Sequence, residues 1–222
     1  MGDVEGRRKW RVLLGVCGSV AAIKVPQLMG MMKREDEEKG KEEWEVRVVA
    51  TDSARYFLKR ADAVEPELTS VVSTENGDSE WVSTDESEWR LWEKRGDPVL
   101  HIDLRKWADI LVLAPLSANT LAKMAAGICD NLLLSVCRAW EFRAGKPVIL
   151  APAMNTEMWN HPFTEKHLHV MKDLGNVVVV EPAVKTLACG DTGTGALANL
   201  SDIVEAVQEA LKVYRDTQCA KG

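Results

Sequence analysis

Asn155 stands in the run Ala151-Pro152-Ala153-Met154-Asn155-Thr156-Glu157-Met158-Trp159, directly after the apolar stretch 147–150. Its carboxamide offers two N–H donors and one carbonyl acceptor, a match for a small planar carboxylate. Asn and Pro also shape plain turns from strand to helix, so a purely structural role fits the same residues. His101 lies in Asp97-Pro98-Val99-Leu100-His101-Ile102-Asp103-Leu104, which reads as an apolar alternation. An imidazole with its ordinary pKa of ~6.5 can exchange protons there at neutral pH, or simply fill a structural position. Cys189 belongs to Lys185-Thr186-Leu187-Ala188-Cys189-Gly190-Asp191-Thr192-Gly193-Thr194-Gly195, read as a mobile glycine-rich loop. A thiol on a loop that folds over a site can donate a proton; otherwise the loop is a connector to the last helix.

Hydroxyl groups cluster at three further positions. Gly15-Val16-Cys17-Gly18-Ser19-Val20-Ala21-Ala22 leaves one apolar run and opens a helical stretch. It is neither the dinucleotide fingerprint Gly-x-Gly-x-x-Gly nor a Walker A loop. Ser19 as an N-cap would still leave backbone N–H groups facing an anion, although a capping serine without a ligand fits equally well. Thr51-Asp52-Ser53-Ala54 and Ala114-Pro115-Leu116-Ser117-Ala118-Asn119-Thr120 repeat the pattern. Each is a candidate cap by itself. Four polar strand ends on one sheet edge would form a cradle for a phosphorylated, hydrogen-bonding cofactor. Asp52 suits phosphate poorly and is expected to face solvent.

Alternating elements must position these groups. The stretches 12–16, 46–49, 110–113, 148–150 and 177–180 are continuous apolar runs, the mark of strands buried on both faces. Helical stretches lie between them at 20–34, 119–126, 131–140, 163–174 (closed by Gly175) and 200–214. The alternation predicts a three-layer α/β/α sandwich on a Rossmann-like parallel sheet of about six strands. Residues 10–214 read as a single domain, after a disordered N-terminus at 1–9 and before a C-terminal tail at 215–222. Residues 35–45 are dense in charge and read as a solvated helix end and loop. Within 71–92 the pattern Val-Ser-Thr…Ser-Glu-Trp occurs twice; the first copy, 71–81, reads as a surface insertion with no catalytic role.

Composition excludes other classes. With 34 acidic and 28 basic residues the net charge is −6, against sequence-independent nucleic-acid binding. No apolar run reaches the roughly 20 residues that span a bilayer, and the charged start of the chain carries no apolar leader core. Five cysteines without a Cys-x-x-Cys and four scattered histidines offer no zinc spacing, so no metal is expected. A reducing, cytoplasmic setting fits best.

Several ordered blocks resemble the homo-oligomeric flavin-containing cysteine decarboxylases, and most closely their phosphopantothenoylcysteine-decarboxylating branch. They are Gly18-Ser19-Val20-Ala21-Ala22-Ile23-Lys24, Asp97–Ile102, Ala114–Leu121, Gly127-Ile128-Cys129-Asp130-Asn131-Leu132-Leu133, Pro152–Trp159 and Leu187-Ala188-Cys189-Gly190-Asp191. The resemblance implies FMN, held by positions matching Gly18, Ser19, Val20, Ala21, Thr51, Ser53, Ser117, Ala118, Asn119, Thr120 and Ala153. It implies a substrate, 4′-phosphopantothenoylcysteine, touched at Asn155, Ala188 and Leu197, and a product, 4′-phosphopantetheine, on the way to coenzyme A. Oxidation of the cysteinyl group to a thioaldehyde, loss of carbon dioxide and re-reduction of the enethiolate make up the family's route. His101 then matches the acid–base group, Asn155 the carboxylate holder and Cys189 the final proton donor. Sites between protomers of a homotrimer are implied as well. Thr186 and Asn199 depart from the family pattern. A phosphatase-inhibiting regulatory subunit of the halotolerance-protein type is the alternative; it would tolerate loss of His101, Asn155 or Cys189, and all three are present. Decarboxylation of a peptide's C-terminal cysteine and flavin prenylation fit the blocks at 97–102 and 187–191 less well.

Overall fold

Along the first strand, alternate side chains enter two separate cores. Trp10, Val12, Leu14 and Val16 join one apolar cluster, while Leu13 and Cys17 join the other, and all six are fully buried. Such two-sided burial is why the segment reads as an unbroken apolar run. The computed structural model describes residues 9–38, 44–61, 82–186 and 192–220. In chain order its elements are β1 (Trp10–Val16), a 3-10 turn (Val20–Lys24), α1 (Val25–Glu38), β2 (Trp44–Ala50), α2 (Asp52–Ala61), β3 (Val82–Ser83), α3 (Asp85–Leu91), α4 (Leu100–Trp107), β4 (Ile110–Leu116), α5 (Ala118–Ala125), α6 (Leu132–Arg138), β5 (Val148–Pro152), α7 (Thr156–Asn160), α8 (Pro162–Asp173), β6 (Val177–Val179), β7 (Ala183–Thr186), β8 (Thr192–Ala196) and α9 (Leu200–Cys219).

The sheet runs β3-β2-β1-β4-β5-β6, six strands with every neighbour parallel. Leu28, Met29 and Met32 of α1 and Ile203, Val207 and Leu211 of α9 cover one face. Leu104 of α4, Leu133 and Val136 of α6, and Leu168 and Met171 of α8 cover the other. The result is the predicted α/β/α sandwich. Gly15 lets α6 approach: a Cβ there would stand 2.4 Å from the Leu113 side chain and 2.6 Å from that of Leu133. Strand order reverses between β1 and β4, and the crevice beyond the carboxyl ends of such a pair is where open α/β sheets bind ligands.

Four local readings change, and one unassigned segment gains structure. The first helical stretch opens as a 3-10 turn, which places Pro26 at the second position of α1, where its missing N–H costs nothing. The His101 segment is a helix, not an apolar alternation, because burial of Leu104 against the sheet sets a helical period. The second Val-Ser-Thr copy forms β3 and α3. The two ends of the glycine-rich segment pair as the antiparallel strands of the β7–β8 hairpin, and α9 continues to Cys219 through residues read as a tail. Residues 1–8, the insertion at 71–81, and Ala188 and Cys189 lie outside the described residues. As expected, α8 closes before Gly175, which takes φ +78°.

Candidate active site

At the carboxyl ends of β1, β2, β4 and β5 the four polar groups each cap a helix. Ser19 is extended (φ −140°), and its Oγ accepts the N–H of Ala21 at 3.4 Å. Thr51 Oγ1 accepts the N–H of Ala54 at 3.3 Å and lies 3.3 Å from Ser53 Oγ. Ser117 Oγ accepts the N–H of Thr120 and donates to Thr120 Oγ1, both at 3.2 Å. Asn155 Oδ1 accepts the N–H of Glu157 at 2.8 Å. All four groups thus fill the structural role that their sequence patterns allowed. The cap is what holds each polar group at the rim.

Backbone hydrogen bonds stitch these ends together. Cys17 N–H donates to the Pro115 carbonyl and Thr51 N–H to that of Val16, both at 3.1 Å, and Ala153 N–H donates to that of Leu116 at 3.0 Å. Gly18 lies directly on Ser53, where a Cβ would come within 2.5 Å of Ser53 Oγ. Burial raises the pKa of the Cys17 thiol, which stays neutral beside Ser117 and Thr120. Gly18, Ser19, Ala21, Ser117 and Ala118 are partly exposed, Val20 and Asn119 exposed, and Thr120 and Ala153 buried. Asp52 is 75% exposed and pairs with Arg55 at 3.7 Å, away from the rim as expected. Leu197 is packed into the α1/α9 core, so only its backbone can reach a ligand.

The β7–β8 hairpin docks on the turn that carries Asn155. Met154 N–H donates to the Gly195 carbonyl at 2.9 Å. Gly195 has φ +137°, and a Cβ on it would strike the Met154 carbonyl oxygen at 2.4 Å. Its glycine is required for close approach rather than for loop motion. Gly193 likewise abuts Thr156, whose buried hydroxyl lacks a hydrogen-bond partner among the described residues.

His101 is held by different partners. It is the second residue of α4, and both its backbone N–H and its Nδ1 meet the carboxylate of Glu88 from α3. Asp85 of α3 accepts the N–H of Leu132 at 2.6 Å and so ties α3 to the start of α6. Burial raises the pKa of that carboxyl. A cavity of about 570 Å³ is lined by His101, Glu88, Asp85, Asn131, Trp89 and Trp92, among others, and by none of Ser19, Thr51, Ser117 or Asn155. Trp89, Leu91, Trp92, Val99 and Ile128 stand exposed nearby. Glu88 and Asp85 were not expected to matter from the sequence; the available signal was the Thr84–Ser87 capping box that starts α3. Among the described residues no group of three metal-ligating side chains occurs, and no helix is long and apolar enough to cross a membrane.

The family described as Flavoprotein matches residues 4–212. A phosphopantothenoylcysteine decarboxylase of Arabidopsis thaliana is 49% identical over 202 residues, 90% of this chain and 85% of the plant protein. The chain belongs to the phosphopantothenoylcysteine decarboxylase family of flavoproteins. A mouse member is 45% identical over 212 residues, covering 95% of this chain and 92% of its own. A solved family member, a mutant PPC decarboxylase complexed with pantothenoylaminoethenethiol, superposes with a TM-score of 0.74 at 46% identity, covering 92% of this chain and 100% of that one. The FMN binding protein AtHal3 gives 0.71 at 47% identity, covering 90% and 96%.

Proposed function

We propose that this flavoprotein binds FMN and converts 4′-phosphopantothenoylcysteine to 4′-phosphopantetheine, a step of coenzyme A biosynthesis. The observation that carries the reading is the stitched row of capped hydroxyls ending in the Asn155 carboxamide. Neutral hydroxyls and N–H groups suit a phosphate and the polar edge of a flavin. Gly18, Ser19, Val20 and Ala21, with Thr51 and Ser53, would hold the phosphate side; Ser117, Ala118, Asn119, Thr120 and Ala153 would line the remainder. Bound flavin supplies a reversible two-electron oxidation of the cysteinyl group.

This chain's residues do the rest. Asn155 Oδ1 is committed to Glu157, so a substrate carboxylate would meet the amide N–H groups. A neutral holder lets that carboxylate leave as carbon dioxide without breaking an ion pair. His101 takes and returns the cysteinyl protons, Cys189 delivers the last proton, and Ala188 and the Leu197 backbone contact substrate. The two electrons removed are returned, and a proton replaces the carboxylate.

Because the His101 cavity is lined by none of the cradle's capping groups, we assign the complete site to two copies within a homotrimer. The exposed apolar rim of Trp89, Leu91, Trp92, Val99 and Ile128 supports this, being the kind of patch a partner covers. Unpaired Cys17, Cys129, Cys137 and Cys219 among the described residues support a reducing, cytoplasmic location, with 10–214 as the working unit. Reconstitution tests the reading: protein incubated with FMN should turn yellow and release carbon dioxide from the substrate with phosphopantetheine as product. A protein that stays colourless, or a flavin-bound one that releases no carbon dioxide, overturns it.

A further inference from the structure

Helix α4 begins without a cap of its own, since Val99 at its N-cap makes no side-chain hydrogen bond. Glu88 takes that place from a different helix. Its Oε1 accepts the backbone N–H of His101 at 3.4 Å, and the same oxygen is bonded to His101 Nδ1. One carboxylate oxygen therefore fixes both the entry of α4 and the rotation of the ring. Glu88 is itself held: Thr84 and Ser87 close the capping box at the start of α3, and Asp85 ties α3 to α6. The side chains of Glu88 and His101 are only 16% and 27% exposed, and both line the 570 Å³ cavity.

We propose that Glu88 is the positioning residue for His101, holding the imidazole as its Nδ1–H tautomer so that Nε2 is the nitrogen presented to substrate. A carboxylate only accepts, so the proton between the two must belong to Nδ1. The neutral ring then carries its lone pair on Nε2. When Nε2 takes a proton, the adjacent carboxylate stabilises the resulting cation, the service a buried aspartate gives histidine in hydrolase triads. This deepens the acid–base role given to His101 above and rests on it for its kinetic consequence, but not for its structural one.

The test uses FMN-reconstituted protein with ring-15N histidine, the His101 signals being assigned by their absence in His101→Asn. At a pH where the ring is neutral, wild type should show a protonated Nδ1 and an unprotonated Nε2. Glu88→Ala should shift His101 toward the Nε2–H form and lower kcat by roughly 100-fold with KM little changed, the lower end of what a placed acid–base group contributes. Glu88→Gln, whose amide oxygen can still accept but carries no charge to stabilise the cation, should keep the Nδ1–H tautomer and recover only part of the rate. Adding Glu88→Ala to His101→Asn should cost nothing further. An Nε2–H ring in wild type overturns the proposal, as does a Glu88→Ala protein with unchanged ring signals and unchanged kcat. Should Glu88→Ala fail to fold, the wild-type and Glu88→Gln spectra decide alone. If wild type shows no decarboxylation at all, the functional reading fails while the ring signals still judge Glu88.

Discussion

The cradle at the strand ends and the cavity around His101 are built by opposite means. In the cradle each polar group is secured by its own helix, within three residues along the chain: Ser19 to Ala21, Thr51 to Ala54, Ser117 to Thr120, Asn155 to Glu157. In the cavity the key bonds join distant segments, His101 to Glu88 and Asp85 to Leu132. Local caps make a rim that survives changes elsewhere in the fold. Long-range bonds make a site whose geometry depends on several helices at once, and a chain can place His101 there only if α3, α4 and α6 all hold.

Separability of the two regions is the sharpest consequence. His101→Asn should lower kcat by about 10²- to 10⁴-fold, the range for a placed acid–base group, while a flavin absorbance titration returns the wild-type Kd. A matching loss of flavin affinity would mean the regions are one. Asn155→Asp separates cap from ligand: aspartate caps as well as asparagine, so the melting temperature should hold. Its charge would repel the substrate carboxylate, and kcat/KM should drop on the order of 100-fold. Equal losses of stability and rate would reduce Asn155 to a turn residue. Gly18→Val should drive Ser53 aside and weaken FMN about 10-fold, equivalent to one lost hydrogen bond, without disturbing the His101 ring signals.

The smallest effect concerns the far end of α4. Lys146 Nζ donates to the carbonyls of Arg105 and Ala108 at 3.1 and 2.9 Å and pairs with Glu141 at 2.9 Å. The hydrogen bond from Lys146 holds the Glu141 carboxyl below its ordinary pKa. A lowered folded-state pKa contributes stability that is complete above the ordinary glutamate value of about 4.3 and lost as pH falls below it. Thermal melts of Glu141→Gln should therefore fall less steeply with acid than those of wild type. Parallel curves would remove the brace.

The same contrast explains what could be read from sequence. Sheet strands announced themselves because Val12, Leu14 and Val16 face one core and Leu13 the other, leaving no polar gap. The cradle was legible because a cap is a local pattern: a hydroxyl or carboxamide just past an apolar run. His101 was visible as a lone imidazole, but its segment was misjudged, since Leu100, Ile102 and Leu104 alternate by chance while only Leu104 is buried deeply. Glu88 was invisible, because nothing in Ser-Glu-Trp states which histidine, thirteen positions on, will meet that carboxylate. The glycines at 193 and 195 suggested motion and instead seat a hairpin on the Met154 turn.

The proposed division of labour between two copies can be tested by complementation. His101→Asn and Asn155→Asp chains, each nearly inactive alone, are co-expressed under different tags, and mixed oligomers are isolated by sequential capture. If the base of one copy serves the cradle of another, mixed oligomers contain some intact sites and regain a measurable share of the wild-type decarboxylation rate. Mixed oligomers that form yet stay as inactive as their parents would contradict it.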